Sequence, residues 1–125
     1  MIYLDTHVLE DVCQRSLRLL SKEARRLLNR ETEYRISPMV LLELEYLNEI
    51  GRIRLGARDV LTRLGPLIGL RVCDRPFQDV ALQAASESWT RDPFDRIIVA
   101  QARLAKAVLV TRDGNILANY NRAVG

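Results

Sequence analysis

The sequence predicts an α/β fold built on a mostly parallel sheet, and three observations lead there. Apolar runs of about four residues alternate with longer helix-patterned stretches, the rhythm of strand–helix–strand units. Two helix starts are marked by a short polar residue directly before proline, Ser37 before Pro38 and Asp92 before Pro93. Serine or aspartate accepts from the free first-turn amides, and proline suits the first helical position. Acids also stand where strand-like runs stop, at Asp5 and Asp113, and open α/β sheets bind ligands beyond the carboxyl ends of their strands.

Taken in order, residues 1–5 form a short buried strand, because Ile2, Tyr3 and Leu4 are a continuous apolar patch ending in an acid. Thr6 opens a helix to about residue 15, and residues 21–30 make a second, capped by Ser21 with Leu27 and Leu28 inward. A brief strand at 34–36 leads into the helix that starts after Ser37, points Val40, Leu41, Leu44 and Leu47 inward, and reaches about residue 50. Residues 51–56 are a basic turn, 57–67 a helix, 70–73 a strand and 76–88 another helix. The helix after Asp92 runs to about residue 106, and 107–110 is the last clear strand. The remaining GNILANYNRAVG is weakly patterned, with room for one helical turn. No repeat, low-complexity run or linker interrupts the 125 residues, so a single domain spanning 1–125 is expected.

No apolar run approaches the roughly 18 residues of a membrane span, and the first is too short for a signal peptide. A cytoplasmic protein is expected. Cys13 and Cys73 lack any CxxC spacing and read as small buried hydrophobes in a reducing compartment. The formal net charge is +3. If four of the sixteen acids serve a metal pocket, twelve remain against nineteen cations, seventeen of them arginine. A basic shell around an acidic pocket suits a nucleic-acid substrate, although a GC-rich genome also enriches arginine.

Asp5, Glu43, Asp95 and Asp113 are the candidate site, each inside a short structured motif: MIYLDTH, SPMVLLELE, RDPFDRIIVAQA and VLVTRDGN. Each acid also has an ordinary explanation. Asp5 can cap the helix at Thr6, Glu43 can lie on the wet side of its helix, and Asp113 can make an Asx turn before Gly114. Asp92 is an excellent cap, with Asp95 placed as the partner in a capping box. Four such accidents converging on one sheet edge are a poor explanation. Carboxylates packed together repel, and a hard cation relieves them. His7 is the only histidine, which excludes paired-histidine ribonuclease chemistry and ordinary zinc sites.

These four motifs, in this order and over nearly the whole chain, resemble the PIN-domain endoribonucleases, most closely the VapC-type toxins of toxin–antitoxin pairs. DPFDRIIVAQA at 92–102 is the most specific piece. The resemblance implies a Rossmann-like parallel sheet of four to five short strands with helices on both faces. It implies catalytic, metal-binding acids at Asp5, Glu43, Asp95 and Asp113, with Asp92 auxiliary and Thr6 and Thr111 orienting the site by hydrogen bonds. It further implies Mg²⁺ or Mn²⁺ as cofactor, Asp5 and Asp95 as the inner pair of ligands, and RNA as substrate. Arg96, Arg112 and His7 are candidate RNA contacts. A homodimer is expected, with a cognate antitoxin laying a segment across the active site. Two departures stand out: His7 replaces the small polar residue common there, and the ending lacks a clear final strand.

Rival classes have their own tests. A receiver-type phosphoacceptor needs a lysine after the last strand, whereas Lys106 precedes it. A related nuclease acting on DNA, or on RNA outside any toxin–antitoxin pair, is separable by substrate assays. A non-catalytic PIN-like binding module would be marked by a missing acid.

Overall fold

A computed structural model describes residues 1–30 and 33–125. Five strands, β1 (Ile2–Leu4), β2 (Tyr34–Ile36), β3 (Leu70–Val72), β4 (Val108–Val110) and β5 (Ala123–Val124), form one sheet in the order β3-β2-β1-β4-β5. Every pairing is parallel. Helices α1 (Thr6–Cys13), α2 (Lys22–Arg30), α3 (Pro38–Glu49), α4 (Ala57–Asp59), α5 (Gly65–Ile68), α6 (Phe77–Ala85), α7 (Pro93–Leu104) and α8 (Gly114–Asn119) flank it. The chain steps outward from β1 to β3, then returns to place β4 on the other side of β1. That reversal opens a crevice at the carboxyl ends of β1 and β4, where such sheets bind ligands.

Strands β1 and β4 read as continuous apolar runs, as buried parallel strands do, whereas the edge strand β3 exposes Arg71. Ile2, Tyr3, Leu4, Ile36, Leu109 and Val110 are all buried. Around them pack Val8 and Leu9 from α1, Leu28 from α2, Val40, Leu44 and Leu47 from α3, and Ile98 and Val99 from α7. Each fully buried Leu or Ile contributes roughly 1.5–3 kcal/mol. A second small cluster, Val80, Ala84 and Ala100, joins α6 to α7. Small residues there let the two helices approach closely. Cys73 is buried, Cys13 is partly so, and both are free thiols. Among the described residues, no helix is long and apolar enough to cross a membrane.

The structure corrects the sequence-based expectation at two places. The helix expected over 57–67 is broken: α4 passes into a π-helical turn at Val60–Leu64 before α5 begins. Pro66 is the cause, because its ring clashes with the carbonyl four residues back and it has no amide to donate. The wider turn absorbs one extra residue, with the Gly65 amide donating to the Val60 carbonyl. The second correction concerns the ending, which does carry a final strand. Asp113 caps α8 through the amides of Asn115 and Ile116. Tyr120 is then buried, its hydroxyl donating to the carbonyls of Ala107 (2.5 Å) and Ala102 (3.2 Å). This anchor lays Ala123 and Val124 beside Leu109 and Val110. Two residues are too few to show a periodicity.

Candidate active site

Strand register builds the centre of the site. Leu4 pairs with Val110, so the next residues, Asp5 and Thr111, emerge side by side. The Asp5 amide donates to the Val110 carbonyl at 3.0 Å. The Thr111 hydroxyl then donates to Asp5 Oδ2 at 2.6 Å, while Asp5 Oδ1 accepts from the Thr6 amide at 2.8 Å. Thr111 Oγ1 also accepts from the Asp113 amide at 3.0 Å, so one buried threonine fixes both strand-end acids. The Thr6 hydroxyl donates to Glu43 Oε1, tying α1 to α3. Thr6 and Thr111 are almost wholly buried. Side chains in such positions are locked by packing as well as by their bonds.

Around these residues lies a pocket of about 240 Å³ lined by Asp5, His7, Glu43, Asp92, Asp95, Arg112 and Asp113. A larger groove of about 850 Å³ runs along α3 and α4, but its lining mixes leucines with both signs of charge and offers no convergent chemistry. The small pocket is the one with a concentrated donor set.

The ordinary structural roles and a shared pocket prove compatible. Asp5, Asp92 and Asp113 each cap a helix. Asp92 Oδ1 accepts from the amides of Phe94 (2.8 Å) and Asp95 (3.3 Å), and Asp113 Oδ1 from Asn115 (2.7 Å) and Ile116 (3.3 Å). The Asp92 amide donates to Thr90 Oγ1 at 3.1 Å. That bond takes the place of the reciprocal one a capping box would need from Asp95. Asp95 therefore faces the pocket. Helix amino ends favour anions, yet the crowding is greater. Asp95 is pushed up to about 7 by burial first, then by repulsion from Asp92, Asp113, Asp5 and Glu43. Burial also raises Asp5 and Glu43, opposed by their hydrogen bonds from the two threonines.

The candidate RNA contacts fare differently. His7 is exposed at the pocket rim. Arg112 also lines the pocket, but its fork is engaged: Nε donates to Asp11 Oδ2 at 2.9 Å and Nη2 to Oδ1 at 3.3 Å. Arg96 lies outside the pocket, its Nε donating to the Thr90 carbonyl at 2.8 Å. Two features escaped the sequence reading. Asp11, buried on α1, holds Arg112 across 101 residues. Tyr46 on α3 stacks on Phe94 of α7 with centroids 6.0 Å apart and planes 19° off parallel. Tyr46 shares a helix face with Glu43 three residues earlier, and Phe94 adjoins Asp95. The ring pair thus joins α3 to α7 beside two of the acids. The spacing of Tyr46 from Glu43 was the available signal.

Hard oxygen donors from several elements, with Asp95 driven toward protonation by burial and by its neighbours, fit a divalent cation such as Mg²⁺. Among the described residues, no three His, Cys, Asp or Glu side chains are grouped to hold an ion together. An ion here would rest on fewer carboxylates at once, with water completing its shell, as Mg²⁺ ordinarily prefers.

Acids thus gather around a crevice at the carboxyl edge of a parallel sheet, where open α/β folds bind ligands. The family follows from comparison: the PIN-domain model matches residues 2–122, and the chain belongs to the PIN-domain family. PIN domains are generally nucleases. No curated protein matches the chain in sequence. Among solved structures, the fold is similar to a chain of a toxin–antitoxin complex from Klebsiella pneumoniae, with TM-score 0.68 and 19% identity over 100% of this chain and 97% of that one. It is also similar to a chain of FitAB bound to an IR36 DNA fragment (TM-score 0.62, 18% identity, 98% and 93% covered). A third is FitAcB from Neisseria gonorrhoeae (TM-score 0.59, 20% identity, 100% and 97% covered).

Proposed function

We propose that this protein is a metal-dependent endoribonuclease that hydrolyses RNA phosphodiester bonds, and that it serves as the toxin of a VapBC-type toxin–antitoxin pair. The observation that carries the catalytic part is the convergence of Asp5, Glu43, Asp92, Asp95 and Asp113 on one pocket at the carboxyl end of the sheet. Asp5 and Asp95 would hold Mg²⁺ or Mn²⁺, with Glu43 and Asp113 taking its waters or a second ion. When bound, such an ion lowers the pKa of a water, orients the phosphate and offsets charge on the leaving oxygen.

The chain's own residues prepare that chemistry. Thr111 and the Thr6 amide aim the Asp5 carboxylate, the Thr6 hydroxyl aims Glu43, and each bond partly offsets the burial that raises both acids. Asp92 and Asp113 each spend one oxygen on a helix amino end, leaving the other to face the pocket. Asp95, held near 7 by burial and then by its acidic neighbours, would give up its proton to a bound cation. Arg112 and His7 are the cationic and titratable groups at a rim that must admit a polyanion.

What supports the toxin role is the four-motif resemblance, together with a fold like that of a chain from a toxin–antitoxin complex. On this reading the partner is a small antitoxin covering the pocket, the chain pairs as a homodimer, and the protein works in the cytoplasm. The test is an RNA digest by purified protein with Mg²⁺, with Mn²⁺ and with EDTA. Cleavage should require the metal and be lost in Asp95→Asn. A variant that cuts RNA at the parent rate would remove the site assignment, and cutting of DNA alone would remove the substrate.

A further inference from the structure

Helix α2 presents a cationic stripe that the acidic pocket does not use. Its nine residues, KEARRLLNR, carry four cations against one acid. Lys22, Arg25, Arg26, Asn29 and Arg30 recur at three- and four-residue intervals, which stacks them along one helix face. Together they line an open cleft of about 610 Å³ to which, among the described residues, no acidic side chain contributes. Ala24 and Leu28 on the opposite side are buried in the core. Packing therefore fixes the rotation of the helix and keeps the stripe outward. Among the described residues, none of the four cations forms an ion pair. Four arginines outside α2, Arg35, Arg63, Arg103 and Arg112, are paired, with Glu33, Asp59, Glu87 and Asp11.

We propose that this face of α2 is an anchoring surface for the phosphate backbone of a structured RNA, remote from the cutting site. The proposal rests on the nuclease reading above and names the surface that holds the substrate's body. Rows of donors with no acceptor acid among them suit phosphate, and arginine's planar fork suits it better than a point charge does. One turn of helix, about 5.4 Å, separates successive pairs of cations, so the stripe offers an extended line of contacts and no single anion site. Its place in the fold sets the length of RNA required. The Tyr34 hydroxyl donates to the Leu28 carbonyl, which ties the end of α2 to the start of β2. The acids gather at the opposite end of the sheet. Helix α1, on the order of 12 Å long, lies between pocket and stripe in the chain. Only an RNA larger than the few nucleotides around the scissile bond reaches both.

The test compares the parent with K22Q/R25Q/R26Q/R30Q, an exposed-face change to a good helix former, after circular dichroism shows equal helix content. A second variant, R25K/R26K/R30K, keeps the charge. Binding of a transfer-RNA-sized transcript is measured in EDTA between low and moderate salt, and cleavage is measured on that transcript and on a short single-stranded oligonucleotide. If all four cations contact phosphate, the glutamine variant's slope of log affinity against log salt should be shallower by about 2.8–3.6. Its KM for the transcript should rise, while cleavage of the oligonucleotide stays at the parent rate and the lysine variant retains most of the slope. An unchanged slope and KM in a parent that binds and cuts RNA would overturn the anchoring surface alone, whatever other partner the stripe then serves. A parent that neither binds nor cuts RNA would overturn this proposal and the nuclease reading together.

Discussion

Replacing Asp95 by asparagine should stabilise the metal-free protein, and the size of the effect follows from the crowding of the pocket. Asp95 ionises near 7, against an ordinary value of 3.8, because burial and four neighbouring acids oppose its charge. Taken whole, that difference penalises the ionised form by up to about 4 kcal/mol. Asp95 is only partly buried, and solvent screening reduces the figure to about 1–2 kcal/mol. The sign is fixed by proton binding. Between pH 3.8 and about 7 the folded state holds a proton that the unfolded state has lost, so stability falls as pH rises through that window and levels off above it. Asparagine has no such dependence. In EDTA, Asp95→Asn should therefore melt about 4–8 °C above the parent at pH 8, with the gap closing toward pH 4. The assay is a thermal melt of both proteins across that range. Adding Mg²⁺ should then raise the parent's Tm by mass action and leave the variant nearly unmoved. A variant no more stable than the parent at pH 8 would refute the crowding.

Three further outcomes are expected. Thr111→Val keeps the shape but removes the hydroxyl that serves both Asp5 and the Asp113 amide. It should cost about 1–3 kcal/mol in denaturant unfolding and cut the rate far more than it raises KM. Asp11→Asn loosens the fork on Arg112, so KM for RNA should rise with kcat little changed. Equal losses in both would assign Asp11 a structural role only. Glu87 is a buried carboxylate held by Arg103 at 2.6 Å and by the Trp89 indole at 2.7 Å, and Arg103 also lies over the Tyr120 ring. Glu87→Gln should destabilise by about 2 kcal/mol, below the usual cost of breaking a fully buried pair because Arg103 is partly exposed. RNA cleavage by the folded fraction should be unaffected.

Much of this architecture could be read from local pattern. Strands β1 and β4 are legible because each is a tight apolar run, and β2 and β3 as short apolar segments around a single arginine. Ser37 and Asp92 announce their helices because capping is a local event. The acids were legible by position, as residues following a strand or opening a helix, and the register of β1 against β4 brings two of them to a common threonine. What sequence could not supply is tertiary. The Asp11–Arg112 fork joins residues 101 apart, and nothing in the run THVLEDVC distinguishes that acid from Glu10 beside it. The Tyr46–Phe94 stack depends on the spacing of α3 and α7. Strand β5 consists of two residues whose place is set by the burial of Tyr120, and the π-helical turn reflects a clash that only a folded helix creates.

The most direct measurement is diffraction from crystals grown with Mn²⁺, recorded for its anomalous signal. A peak in the pocket within ligating reach of Asp5 and Asp95, absent from crystals of the Asp5→Asn/Asp95→Asn protein, is the expected result. An empty pocket at saturating Mn²⁺, with the five carboxylates turned to separate partners, would contradict it.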